Sequence, residues 1–405
     1  MRRIVIGIVI GCVVGVMFGA TVIAPRLDQS RAVSTHTPDS PAMADKKKPT
    51  DTSDQKNRAD DTAPKPVPPE QISGTVLPPA GPDRPVVRWR MASAWSGSLP
   101  QLGSLGLRVG RKLWEVTDGG IEIKFFEPGE LVPTSEMFNA VSSGSIDAAF
   151  SSPGYWGEKI PALQLFSAVP FGPEASEYMA WMYFGGGRDL MQDIYDKHGI
   201  HSVLCGMNAP EASGWFRRAF TTVDDLKGLK MRATGLGAQV LRKVGVHTFP
   251  LQEGDIFTAF EMGDIDAAEF SMPAIDLKMG FYEMASHYYF PGWHQPTTFF
   301  DLMINKGKWD ALPKIRRSQI ETVCGDNVRQ GLAEGEALQF TALKDLTARG
   351  VKIHRWPEAI LTSLENAWRD VAAEQSSADS DFRRVFASLT AFRKNYAVWH
   401  ELSRR

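Results

Sequence analysis

The sequence predicts an α/β fold of two similarly built halves, carried behind an apolar N-terminal segment and a long polar linker. Three observations predict it. Strand-like and helix-like stretches alternate from residue 86 to about residue 270, which points to parallel α/β layers. A strand-and-helix segment occurs twice. The last hundred residues are mainly helical in their apolar spacing. The chain of 405 residues is long enough for two lobes. Its 43% apolar and 23% charged residues are ordinary for a folded soluble protein, and a net charge of -2 gives no footprint for nucleic acid.

Taken in order, Arg2 and Arg3 precede an uncharged run over residues 4–24 that Pro25 and Arg26 close. That run is long enough to span a bilayer, and Pro25 disfavours cleavage after Ala24. Residues 1–25 therefore read as an uncleaved anchor rather than a removed signal, with the flanking arginines inside and the rest of the chain outside. Residues 26–85 are rich in Asp, Lys, Ser, Thr, Pro and Ala and offer little to bury, so they read as a disordered linker. The folded part covers residues 86–405. A strand is expected over 86–92 and a helix over 99–118 ending at Gly119-Gly120. A strand at 121–126, a helix at 135–143 and a strand at 146–150 follow, and the terminal helices are expected over 308–348, 357–373 and 381–400. Cys205 and Cys324 are the two cysteines of this part. They can pair only if the fold brings them together, and the rarity of such long-range bridges outside a disulfide framework argues against it.

The repeat is the most informative feature. Residues 138–153 read FNAVSSGSIDAAFSSP and residues 257–273 read FTAFEMGDIDAAEFSMP. Each is a helix, a glycine turn, an Ile-Asp-Ala-Ala strand and a proline stop. Asp147 and Asp266 hold equivalent positions and read as structural. The second copy has one extra residue, which the alignment places at Glu269. Ligands of open α/β sheets gather at strand carboxyl ends, so an added carboxylate there is a site candidate. Arg232 follows a strand-like Leu229-Lys230-Met231 and precedes a glycine-rich turn. Its guanidinium can clamp a carboxylate through two parallel hydrogen bonds; the alternative is a surface arginine in a turn.

Residues 229–232 (LKMR) with Gly235-Leu236-Gly237, then residues 263–269 (GDIDAAE), stand in an order shared with Val169-Pro170-Phe171-Gly172, residues 181–187 (WMYFGGG) and Gly280-Phe281-Tyr282. From residue 86 onward the chain thus resembles the periplasmic solute-binding proteins of TRAP transporters. Gly214-Trp215-Phe216-Arg217 and residues 181–187 are most similar to the branch that binds 2-oxo acids. The resemblance implies a two-lobed periplasmic-binding-protein fold (type II-like) with a long lobe-spanning helix. It implies lobes discontinuous in sequence, with hinges near residues 207–211 and 269–273. It also implies a periplasmic receptor, here tethered to the inner membrane by the apolar run, which hands a small organic acid to the small and large membrane subunits of a permease. A homodimer through the C-terminal helix is open, although residues 381–400 show no heptad seam.

The same resemblance implies roles for individual residues. Arg232 clamps the ligand's carboxylate. Glu269 holds a metal ion, and the residue after it, Phe270 here where the branch has Trp, lends a backbone carbonyl. Glu211 stands where the branch has Gln as a metal ligand. With Gln, a sodium ion, an Arg, a Glu and a carboxylate ligand sum to zero, whereas ionised Glu211 leaves the set negative by one. A divalent ion restores neutrality, and two carboxylates with carbonyls suit calcium. Calcium, or another hard divalent ion, is therefore expected rather than sodium; a protonated Glu211, or one paired with a ligand amine or hydroxyl, is the alternative. Trp215 is expected as an apolar wall and Tyr155 as a hydroxyl donor from the first half, with Phe270, Trp156 and Trp293 as weaker aromatic candidates. An enzyme on this fold needs a nucleophile with a base or an acid/base pair. The sequence has no Gly-x-Ser-x-Gly, no His-Glu-x-x-His and no metal spacing among its eight histidines. A membrane-tethered ligand sensor is the alternative to transport.

Overall fold

The structure, a computed structural model, describes residues 86–404. The anchor expected at residues 1–25 and the linker at 26–85 lie outside the described residues. Among the described residues, no helix is long and apolar enough to cross a membrane.

The first layer begins with β1 (Val87–Ser93), α1 (Gly103–Val116) and β2 (Ile121–Phe126). The two strands pair in parallel with Val87 opposite Ile121. Helix α1 starts four residues later than its apolar spacing suggests, because Gln101 takes a left-handed φ of 62° that a helix cannot contain. Next come α2 (Met137–Ser143) and β3 (Ala148–Ser151), separated by Gly144 at φ 78°, a left-handed stop that glycine adopts without penalty. Helices α3 (Ala175–Phe184) and α4 (Gly187–Asp196) then lead to β4 (Ile200–Asn208).

Residues 209–213 carry the chain into a second layer. It contains β5 (Gly214–Phe216), β6 (Lys230–Arg232), α5 (Gly235–Lys243), β7 (His247–Phe249), α6 (Glu253–Met262), β8 (Ala267–Ala268), α7 (Pro273–Met279) and β9 (His287–Phe290). Residues 291–297 return it to the first layer as β10 (Thr298–Asn305), followed by α8 (Lys306–Asp310), α9 (Lys314–Ala348), β11 (Lys352–Arg355), α10 (Glu358–Ala378) and α11 (Ser380–Ser403). The strand orders are β2-β1-β3-β10-β4 and β11-β9-β5-β8-β6-β7.

Both sheets are mixed, which corrects the expectation of parallel layers. The chain leaves the first sheet through β4 and re-enters it through β10, and the two lie side by side, necessarily antiparallel. Their continuations β5 and β9 are antiparallel for the same reason. The strand-level passages between layers are thus residues 209–213 and 291–297. Residues 269–273 instead link β8 to α7 inside the second layer. The helix expected over 308–348 is two helices, since Pro313 has an extended ψ of 148° and cannot continue α8.

Helix α9, 35 residues long, spans the layers. Its Ile320, Val323 and Val328 join the larger core, while Leu346 joins the smaller one beside Trp215 and Tyr288. Cys324 of α9 forms a disulfide with Cys205 of β4, which corrects the expectation of free cysteines. Packing of α9 along β4 buries both residues completely and supplies the proximity that spacing alone hides.

Candidate functional site

The second repeat copy builds the site. Its frame matches the first: Gly263 at φ 76° ends α6 as Gly144 ends α2. Asp266 accepts from the Lys230 N–H at 3.1 Å, and Asp147 accepts from the Arg90 N–H at 2.5 Å. Each carboxylate caps the neighbouring parallel strand, so both aspartates are structural. Gly214, at φ 126°, lets β5 close on β8; a Cβ there would lie 2.6 Å from the Ala268 carbonyl oxygen.

Beyond this frame the chain presents Glu269, which is 2% exposed. Its Oε1 accepts from Arg232 Nη1 at 3.0 Å and from the Thr234 N–H at 3.1 Å. Burial raises the carboxyl's pKa, but the Arg232 charge, His294 and the Thr234 N–H outweigh it and hold Glu269 below the usual range. Arg232 also donates Nη1 to the Glu269 carbonyl at 2.6 Å and Nε to the Leu251 carbonyl at 3.1 Å. Its guanidinium lies 5.4 Å from the Phe270 ring centre. These bonds engage Nε and Nη1 of the guanidinium.

Glu211 lies on the outgoing crossover, 4% exposed. Only long contacts reach its Oε1: Asn208 Nδ2 at 3.4 Å, Ser271 Oγ at 3.5 Å and Thr298 Oγ1 at 3.5 Å. Its Oε2 is buried with no hydrogen-bond partner. Burial, reinforced by the charges of Glu269 and Asp276, raises its pKa well above the carboxylate range. An orphaned buried carboxylate oxygen is expensive unless a proton or a cation meets it. Glu211, Glu269 and His294 each offer a ligand atom, all within 4.8 Å of one another, so the donor set fits a cation.

The remaining candidates fall into three places. Tyr155, 40% exposed, comes from the first layer, and its hydroxyl accepts from Trp95 Nε1 at 2.8 Å. Although part of the ring is exposed, desolvation around the hydroxyl itself pushes that phenol up to about 12, and it senses the charges of Arg232, Glu253 and Glu269. Trp215 is fully buried: it stacks on Tyr288 at 4.0 Å and donates its indole N–H to Asp276 at 2.9 Å. Trp156 is buried against Phe138, and Trp293 stacks on Phe171 at 5.5 Å. Trp293 lines, with Thr234, Gly237, Glu269 and His294, a cavity of about 10 Å³, room for one water-sized guest. Lys278 of α7 donates to the Ser98 carbonyl, so the two layers touch there as well.

Sequence reasoning missed His294, Asn208 and Asp276. His294 sits alone in a Pro-Gly-Trp-His-Gln-Pro loop with no second ligand at metal spacing. Asp276 was visible only as one acid in a short helix. In the fold it accepts from Trp215, from Tyr288 at 2.7 Å and from the Ser271 N–H at 3.1 Å. Burial raises it to about 7 against the pull of those donors.

Two mixed α/β lobes, joined by paired crossovers and a spanning helix around a buried charged site, define a two-lobed binding protein. Residues 91–378 match the DctP family model, bacterial extracellular solute-binding protein, family 7. The chain belongs to this family, the periplasmic solute-binding receptors of TRAP transporters. It is 35% identical over 320 residues to the monocarboxylate 2-oxoacid-binding periplasmic protein of Nostoc sp., covering 79% of this chain and 87% of that protein. A TRAP transporter solute binding protein of Bordetella bronchiseptica, 33% identical, matches with a TM-score of 0.77 over 79% of this chain and 95% of that one; its active site holds copurified calcium and picolinate. A relative from Pseudoalteromonas atlantica, 30% identical with a TM-score of 0.75 over 78% and 97% of the two chains, holds sodium and pyruvate.

Proposed function

We propose that this receptor captures a small 2-oxo or 2-hydroxy monocarboxylate without turning it over, as a complex bridged by a calcium ion. Glu211, Glu269 and the Phe270 carbonyl hold the ion. The Arg232 guanidinium meets the acid's carboxylate, Tyr155 adds its hydroxyl from the first lobe, and Trp215 backs the site through Asp276. What supports this most is the buried Glu211 carboxylate, whose second oxygen has no partner. When bound, the cation supplies the charge that keeps Glu211 ionised and a coordination point for the ligand's second oxygen. With Arg232, two glutamates, one acid and a divalent ion the charges sum to zero; with sodium they do not. Picolinate and pyruvate, held by the two relatives, each carry a second donor atom one carbon from the carboxylate, as a chelating ligand requires.

The apolar run at residues 4–24 and the polar stretch behind it support a receptor tethered on the periplasmic face, passing its ligand to the two membrane subunits of a permease. Closure turns on residues 207–211, joined on the return path by 291–297. Thermal unfolding against a panel of carboxylates, in calcium, in sodium alone and with chelator, tests the proposal. A ligand at a hundred times its Kd adds about 2.7 kcal/mol. The expected result is a rise with a 2-oxo or 2-hydroxy acid that chelation abolishes. A rise that ignores chelator removes the divalent ion, and no rise with any acid overturns the ligand class.

A further inference from the structure

We propose that His294 supplies an imidazole nitrogen as a third protein ligand to the cation held by Glu211 and Glu269, so that the site takes first-row divalent ions such as manganese(II) with nitrogen coordination. The inference rests on the cation reading above and adds a residue and a metal class to it.

Both ring nitrogens of His294 are buried without a hydrogen-bond partner, in a side chain only 5% exposed. Buried imidazole nitrogens ordinarily find a donor or an acceptor. Nε2 instead lies 3.7 Å from Glu269 Oε2, beyond hydrogen-bond reach but at a spacing two ligands of one ion can have. The ligand atoms of His294, Glu269 and Glu211 all fall within 4.8 Å of one another. Glu211 Oε2 is the third unpartnered atom of the group. One guest at their centre meets Glu211 Oε2 and one of the two imidazole nitrogens.

The backbone fixes His294 in this place. It lies on the return crossover, two residues after Gly292, whose N–H donates to the Glu211 carbonyl at 2.9 Å. The Glu211 N–H donates in turn to the Gln295 carbonyl at 3.2 Å. The two crossovers are thus bonded to each other on either side of His294. On the opposite flank a Cβ at Gly237 would lie 2.9 Å from the His294 Cβ, so glycine there lets the histidine pack against α5. A cation held by all three side chains therefore ties both crossovers to the end of β8. An all-oxygen set suits calcium, while two carboxylates with an imidazole also suit manganese, whose nitrogen coordination can be observed directly.

The test uses the metal-free full-length protein with manganese(II) alone, read by electron spin-echo modulation. The expected result is a ¹⁴N coupling from a directly bound nitrogen, replaced by ¹⁵N coupling when the protein is made with ¹⁵N-histidine and abolished by excess calcium. In His294→Gln the nitrogen coupling disappears and manganese affinity falls at least about tenfold, while calcium affinity changes far less. Manganese bound without histidine-nitrogen coupling overturns the inference, as does coupling that persists in folded His294→Gln. The labelling result stands even if that variant fails to fold. Calcium-dependent acid binding without nitrogen coupling removes His294 as a ligand and leaves the proposed function intact. Binding of neither metal overturns both.

Discussion

The two copies of the helix–glycine–strand segment have the same frame and opposite content. In the first, Ala92 of β1 lies opposite Ala149 of β3, and the strand continues into Phe150, fully buried in the larger core. In the second, the position opposite Ala268 of β8 is Arg232 of β6, and the strand continues into Glu269. One copy ends in hydrocarbon and the other in a buried ion pair. The difference teaches that the duplicated frame places strand ends, while one added residue and one exchanged neighbour turn a strand end into a site.

The largest effect should come from breaking that ion pair. Arg232→Met leaves Glu269 and Glu211 buried with no guanidinium on Glu269. Removing one partner of a buried pair costs about 3–5 kcal/mol. The first copy also has a lysine on its aspartate, Lys308 on Asp147, but Lys308 is 40% exposed. Lys308→Met should cost about 1 kcal/mol or less. Thermal unfolding of both variants reads the contrast, and Arg232→Met should also lose any response to carboxylates. Equal losses would mean that Glu269 does not depend on Arg232 for its charge.

Each lobe also contains one fully buried aspartate bonded to a tyrosine hydroxyl. Asp301 in β10 accepts from Tyr195 at 2.7 Å and Ser202 at 2.8 Å, and burial raises it to about 6; Asp276 is its counterpart at about 7. Both lie above the ordinary 3.8, so the folded protein holds the proton more tightly than the unfolded chain. Their contributions are fully present below about pH 4 and are lost as pH rises through about 6 for Asp301 and about 7 for Asp276. Asp276→Asn and Asp301→Asn should therefore flatten the fall in stability with pH, by about 4 and about 3 kcal/mol. Denaturant unfolding from pH 4 to 8 measures both. A common window for the two variants would erase the distinction between the lobes.

The disulfide sharpens the contrast differently, since it staples α9 to the first lobe alone. Cys324→Ser opens a loop with a sequence separation of 119. The expected loss is about 2–4 kcal/mol, matched by the wild-type protein under reductant. A variant as stable as the wild type would show that packing of α9 on β4 suffices.

Local rules carried the sequence reading far. The strand at 121–126 matches β2 residue for residue, and both glycine stops fall where the repeat puts them, because alternation and left-handed glycine are properties of short stretches. Glu269, Glu211 and Arg232 were found through the repeat and the family motif, and the fold brings them together. Contacts between distant segments were not legible. The antiparallel entry of β10 depends on how the chain returns, and the Cys205–Cys324 bridge on where α9 lies. His294 and Asp276 become site residues only when a crossover and a short helix meet β8. The engagement of Arg232 with Glu269 was equally hidden, since a motif names a residue and not the partner that holds it.

The smallest effect belongs to the first lobe's contribution to the site. Tyr155→Phe removes a hydroxyl that accepts from Trp95 Nε1 and leaves the rest of the aromatic cluster in place. The net worth of such a bond is about 1 kcal/mol, so the ligand-free protein should unfold within a few degrees of the wild type. If Tyr155 also donates to the bound acid, affinity should fall by up to about tenfold while the requirement for a cation is kept. Titration calorimetry with pyruvate in calcium separates the two quantities. A loss as deep as that of Arg232→Met would make the first lobe an equal partner in recognition. An unchanged affinity would leave all polar recognition to the second repeat copy, with the first lobe serving as an apolar cover.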